Sequence, residues 1–184
     1  SRQIFLSYPG TRLMLDRMIS PIVTTRSYTA EVNQGLAPKV ARQPIIDQQE
    51  NVSIIDWAGA LSNIETGQFL LACGFKSYDI QKAGLDLHQD ESLLAFFRQN
   101  PASTIVIAVK SWEPPLEELS DFVRDLMESA TVSTLYFLLV PLKNKMISAD
   151  EEIDWRQFAT SIPVSKGRLW VLKGGDVISK ESQS

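Results

Sequence analysis

"TIVIAVKSWEPPLEELSDF" occupies Thr104–Phe122 and decides the fold. From Ile105 to Val109 every side chain is apolar. A short apolar run without polar alternation is what a strand covered on both faces requires, and such strands belong to parallel sheets flanked by helices. Lys110 marks the point where the chain reaches solvent, and Trp112 is placed to roof the adjoining helices. Pro114 and Pro115 stop the strand, and Pro115 suits the first turn of a helix. The spacing then predicts an amphipathic helix over Pro115–Ala130. Leu116, Leu119, Phe122, Val123, Leu126 and Met127 share one face, and Glu117, Glu118, Asp121, Asp125 and Glu128 cover the rest. Glu117 and Glu118 sit at the positive end of that helix, where anions are favoured and a phosphate would be excluded.

Outward from this unit the same alternation repeats. Strands are expected at Val52–Trp57, Ser77–Gly84, Ser103–Val109, within "STLYFLLVPL" ending at Leu142, and at Gly167–Gly174. Helices are expected at Ala60–Gly74, at Asp90–Asn100 with Asp90 as its cap, and at Asp150–Ile162, burying Ile153, Trp155 or Phe158. The mixed polarity of Ser77–Gly84 places that strand at a sheet edge. Five strands alternating with four helices define an α/β fold, a three-layer, mainly parallel sheet with helices on both faces. Right-handed crossovers favour the flavodoxin-like or Rossmann-like order 2-1-3-4-5.

The chain of 184 residues holds one such domain, residues 51–175, preceded by residues 1–50 and followed by a polar tail, 176–184. In the N-terminal segment, Leu15, Met18, Ile19, Ile22 and Val23 recur at helical spacing, interrupted by Pro21, so a short amphipathic helix that stops or kinks near Ser20 is expected within Tyr8–Thr25. Beyond it Gly35, Pro38 and Pro44 mark an extended arm. Net charge is −4, unevenly distributed: the first 43 residues carry +4 and the other 141 carry −8. A basic arm suits anionic headgroups, whereas an acidic body repels lipid and nucleic acid alike. No stripe of cations interleaved with aromatics is present, so nucleic acid is not an expected partner. No apolar run reaches the roughly 18 to 20 residues of a membrane-crossing helix. The chain is expected to be soluble, and its start at Ser1 reads as a piece of something longer.

In an open α/β sheet, ligands bind beyond the carboxyl ends of the strands where strand order reverses. That crevice would lie between the first and third strands and gather Asp56, Trp57, Lys110, Ser111, Trp112 and Glu113. There Asp56 could act as acid or base, Lys110 could contact an anion, and Trp57 or Trp112 could stack on a ring. Each of these residues also has a plain structural reading. Other chemistry lacks support: there is no Walker-type loop and no G-x-G-x-x-G, and Lys110–Trp112 stand where a phospho-acceptor aspartate would end the third strand. His88 reads as a surface loop residue, and Cys73 as a small core residue whose solitude fits a reducing compartment. The acids Asp150, Glu151, Glu152 and Asp154 read as a helix start. "KGG" at Lys173–Gly175 reads as a turn. With one cysteine and one histidine, no zinc set is available, and no cofactor is expected.

"VIAVKSWEPPLEELSDFVRDL", "LYFLLVPL" and "DWRQFA" together resemble the C-terminal soluble region of a family of bacterial multi-spanning membrane proteins without an established activity, often encoded beside a GTPase-like protein. "YPGTRLMLDRM" is similar to the stretch that follows the last membrane helix in that family. The resemblance implies a domain at the cytoplasmic face of the inner membrane, its basic arm near the membrane surface, in keeping with the positive-inside tendency. It carries over no functional residue. Two expectations follow. One is a non-catalytic domain that binds a protein partner, with the GTPase-like neighbour the natural choice, through Glu117, Glu118, Asp121, Asp125 and the Trp112 edge. The alternative is a small-ligand or nucleotide sensor, or an enzyme, using the crevice between the first and third strands.

Overall fold

The computed structural model describes residues 51–173, and the helix expected within Tyr8–Thr25, the extended arm and the polar tail lie outside them. Five strands form one sheet: β1 (Val52–Trp57), β2 (Tyr78–Ala83), β3 (Thr104–Lys110), β4 (Thr134–Val140) and β5 (Arg168–Lys173). All neighbouring pairs are parallel and the order is β2-β1-β3-β4-β5, as the alternation of elements predicted. The register sets Ile55 of β1 beside Ile107 of β3, Ile107 beside Phe137 of β4, and Phe137 beside Val171 of β5.

Because side chains alternate along a strand, that register builds two apolar faces. One carries Ile55, Ile107, Val109, Phe137, Leu139 and Val171. It packs against α2 (Leu87–Gln99), α3 (Glu117–Ser129) and α4 (Ala149–Ser161). The other carries Val52, Ile54, Val106, Ala108, Leu138, Val140 and Leu172. It meets the 3-10 turn Ala60–Asn63, helix α1 (Thr66–Ala72) and, beyond it, Phe75. The predicted edge strand is β2, where Asp79, Ile80 and Lys82 are exposed.

Helix α3 shows how pattern becomes packing. Leu119, Phe122, Val123, Leu126 and Met127 are all buried, and Glu117, Glu118, Asp121, Asp125 and Glu128 all face solvent. Each buried side chain of this size stabilises the fold by roughly 1.5–3 kcal/mol relative to exposure.

Several local expectations are corrected. The helix expected over Ala60–Gly74 is two pieces, because Ile64 and Glu65 are extended. Polar side chains draw the backbone out of the helical path there: Thr66 Oγ1 donates to the Leu61 carbonyl at 2.9 Å, and the Asn63 amide reaches the Gly59 carbonyl at 3.4 Å. Helix α2 is capped by Asp86, which accepts from the Gln89 N–H at 2.7 Å, not by Asp90. His88 therefore sits in its first turn, exposed, rather than in a loop. Helix α3 begins one residue after its N-cap Leu116, so Pro115 precedes the first turn and Leu116 is exposed instead of joining the buried stripe. Helix α4 is closed by a capping box between Ser148 and Glu151, and it buries Trp155 and Ala159 while Ile153 is exposed. Cys73 is buried, as expected.

Candidate functional site

Strands β1 and β3 are adjacent and parallel, so the segments expected to flank a crevice do lie side by side. Their side chains divide between the two faces. Asp56 shares a face with Ala108 and, one alternation on, Lys110; Trp57, one residue later, projects to the other.

Each of these groups has work in the fold. After β1 the chain turns through two left-handed residues, Ala58 (φ 55°) and Gly59 (φ 77°), into the 3-10 turn. Asp56 is buried, and its Oδ1 accepts from the Leu61 N–H at 3.0 Å, which ties that turn back to the strand. The Trp57 indole packs against Phe122 of α3 with ring centroids 5.1 Å apart. Gly84, at φ 86°, also closes against the indole, at its ring-fusion carbons Cδ2 and Cε2. Its N–H donates to Asp90 Oδ1 at 2.6 Å. Burial pushes the Asp90 carboxyl above its ordinary value; the Gly84 hydrogen bond opposes this and the Asp86 charge adds to it.

At the end of β3, Ser111 is buried and joins three elements. Its N–H donates to the Val140 carbonyl at 3.0 Å, and its carbonyl accepts from Trp155 Nε1 at 3.3 Å. Its hydroxyl lies 3.4 Å from Glu151 Oε1, the carboxylate of the α4 capping box. Lys110 Nζ stands 3.7 Å from Glu113 Oε2, and Trp112 is half-buried in the turn between them. Further along the same edge, Glu152 accepts from Arg156 Nε at 3.1 Å and Nη2 at 3.0 Å through one oxygen, and from Lys173 Nζ at 3.0 Å through the other. Burial alone would raise the Glu152 carboxyl. The charges and hydrogen bonds of Arg156 and Lys173 outweigh it and hold the group below the usual carboxylate range.

What this edge presents to solvent is a set of apolar side chains that sequence reading missed. Leu85 and Leu87, after β2, are 65% and 72% exposed; Leu116, after β3, is 60% exposed; Met146, after β4, is 92% exposed. All stand on loops or first turns beyond the carboxyl ends of parallel strands, β2 being separated from β3 by β1, so they lie along one rim of the sheet. Exposed acids, Asp86, Glu113, Glu117 and Glu118, accompany Leu85, Leu87 and Leu116, whereas the exposed lysines Lys143 and Lys145 flank Met146. The signal available in sequence was the presence of large apolar residues in connections, outside every buried stripe. Asp121 and Asp125 lie further along the outer face of α3, and Asp121 is held by Arg124 at 2.9 Å.

Among the described residues no cluster of three or more His, Cys, Asp or Glu side chains is arranged to hold a metal, and no helix is long and apolar enough to cross a membrane. Fold and edge together define an all-parallel, doubly wound α/β domain in which Asp56, Trp57 and Ser111, at the first-to-third-strand junction, are engaged by neighbouring elements. The chain belongs to the family described as "Protein of unknown function (DUF2868)", whose model matches residues 1–163. No curated protein and no solved structure matches it.

Proposed function

We propose that this is a non-catalytic, protein-binding domain of an integral membrane protein, acting at the cytoplasmic face through the rim beyond the carboxyl ends of β2, β3 and β4. The observation that carries this reading is the exposure of Leu85, Leu87, Leu116 and Met146 on that one rim. Large apolar side chains gathered on one surface and bordered by polar groups mark interaction sites. The acids beside Leu85, Leu87 and Leu116 favour a protein segment presenting Lys or Arg next to apolar side chains, and Lys143 and Lys145 beside Met146 favour an acid at its far end. The net charge of −8 over residues 44–184 disfavours an anionic lipid surface. The basic N-terminal arm and the family resemblance support a membrane-embedded parent, and the same resemblance makes the GTPase-like neighbour the first partner to test.

The site chemistry agrees. Asp56, Trp57 and Ser111 are engaged in holding turns, a helix contact and strand ends, which leaves little of the crevice residues for a substrate. The test is calorimetric titration of the full chain with that GTPase-like protein. Binding at micromolar concentration is expected, weakened tenfold or more by Leu116→Asp or Met146→Asp. No heat at tens of micromolar, or binding indifferent to both substitutions, overturns the reading.

A further inference from the structure

Leu85, Leu116 and Met146 stand at the starts of three successive helices, and helix capping explains none of them. Leu85 directly precedes Asp86, the N-cap of α2; Leu116 is itself the N-cap of α3 and supplies no side-chain hydrogen bond; Met146 lies two residues before Ser148, the N-cap of α4. An apolar residue just before an N-cap often packs on the fourth residue of its helix. In α2 that residue is Asp90, whose carboxylate is engaged by the Gly84 N–H, and Leu85 stays exposed. Before α4 the inward place is taken by Ile147, which packs on the core, while Met146 and Leu142 of the same loop stay exposed. The three starts are neighbours: α2 packs on α3, and the first turns of α4 are tied to the end of β3 through Ser111, by Glu151 and Trp155. From the end of β2 to the end of β4 is three strand spacings, about 14 Å.

We propose that this rim receives one amphipathic helix of a partner protein, laid across the three helix starts with its amino end over Met146 and its carboxyl end over Leu85 and Leu87; this rests on the protein-binding role proposed above and specifies the occupant. Shape argues for a helix. The rim crosses the strand ends, so no ladder of free backbone groups runs along it, and an occupant must satisfy its own N–H and C=O groups, as a helix does. Length agrees: about 14 Å is roughly nine residues of helix, so apolar side chains at i, i+3 or i+4, and i+7 or i+8 reach from Met146 past Leu116 to Leu85. Charge sets the direction. Lys143 and Lys145 flank Met146, and Asp86, Glu113, Glu117 and Glu118 flank the leucines. Counting Asp150 beside the two lysines, and Lys82 and Lys110 beside the acids, still leaves the first end positive and the second negative. A helix is most stable with acids in its first turn and cations in its last. The segment that matches the rim in charge is therefore also one that folds readily, provided its amino end meets the lysines.

The test selects phage-displayed random peptides of about fifteen residues, long enough for a helix with frayed ends, on the full chain. Enriched peptides are then synthesised, and their binding is measured by fluorescence anisotropy and circular dichroism. The peptides expected carry apolar residues at helical spacing, acids in the first turn and Lys or Arg in the last, and gain helicity on binding. Affinity should fall about tenfold or more with Leu116→Asp, a change that suits an N-cap and so spares the fold. It should fall about fivefold with Lys143→Glu and Lys145→Glu together, and recover when the acids of the peptide are exchanged for lysine. Peptides that depend on Leu116 but bind without helicity, or with the opposite order of charge, overturn the helix while leaving the rim a binding surface. Enrichment of no peptide that depends on Leu116 also overturns it. The protein-binding role itself stands or falls separately, on the calorimetric titration.

Discussion

Gly84 and Trp57 are in such close contact that a Cβ at position 84 would stand 2.7 Å from two carbons of the indole. The contact fixes the end of β2 against the end of β1, and through the indole against Phe122 of α3. Gly84→Ala meets both this clash and the left-handed backbone at φ 86°. It is expected to cost about 2–4 kcal/mol, seen as a lower denaturant midpoint with unchanged slope. Gly67→Ala, where nothing lies within 4 Å of an added Cβ, is the control and should be neutral or slightly stabilising.

Asp56 separates a structural from a chemical role. Removing its carboxylate orphans the Leu61 N–H, so Asp56→Ala should destabilise by roughly 1–3 kcal/mol. A thermal-shift screen of nucleotides and phosphorylated metabolites is expected to give no stabilisation. A ligand present at a hundred times its dissociation constant would add about 2.7 kcal/mol, so a clear shift abolished by Lys110→Ala would revive the crevice as a binding site.

Glu152 sets an acid limit on stability. Its folded-state pKa lies below the unfolded value, so its contribution is complete above the ordinary carboxylate range and is lost as pH falls through the lowered value. Glu152→Gln should flatten this part of the acid profile. At neutral pH it should cost roughly 1–3 kcal/mol, since Arg156 and Lys173 keep only a neutral acceptor. Urea unfolding from pH 3 to 7 measures both effects.

Tyr136 sets the alkaline limit. Burial pushes its phenol up to about 12 against the opposing charge of Arg168. Here the folded value exceeds the unfolded one, so stability is intact below pH 10 and declines as pH rises from there through about 12, by about 2–3 kcal/mol in total. Tyr136→Phe should remove this decline, which urea unfolding between pH 9 and 12 would show.

Charge at the rim should govern the speed of association. Glu117→Lys with Glu118→Lys is expected to lower the association rate at low salt and flatten its salt dependence, while stability changes by about 0.5 kcal/mol or less, as both side chains are exposed. Stopped-flow mixing with the GTPase-like protein at two ionic strengths checks it.

The legible part of the fold was the part determined by burial. Ile105–Val109 and the α3 stripe announced themselves because a strand buried on both faces and a helix buried on one leave different periods. Boundaries were less legible because side chains compete with the backbone for hydrogen bonds. Asp90 looked like a cap but bonds to Gly84, and Asn63 and Thr66 break what the apolar spacing made one helix. The adjacency of β1 and β3 could be argued from topology. That Asp56 and Trp57 would leave on opposite faces follows from strand alternation; that both would be occupied by the fold required knowing that Leu61 and Phe122 come back to meet them. The rim escaped because a solvent-facing leucine in a connection has no period.

The common direction of the five strands has a geometric consequence. The backbone enters the sheet at Val52, at the end opposite the rim, and a six-residue strand carries it about 20 Å before Trp57. The rim with its leucines and Met146 therefore stands a full strand length from Val52, so the point where the backbone enters and the exposed apolar side chains occupy opposite poles of the sheet.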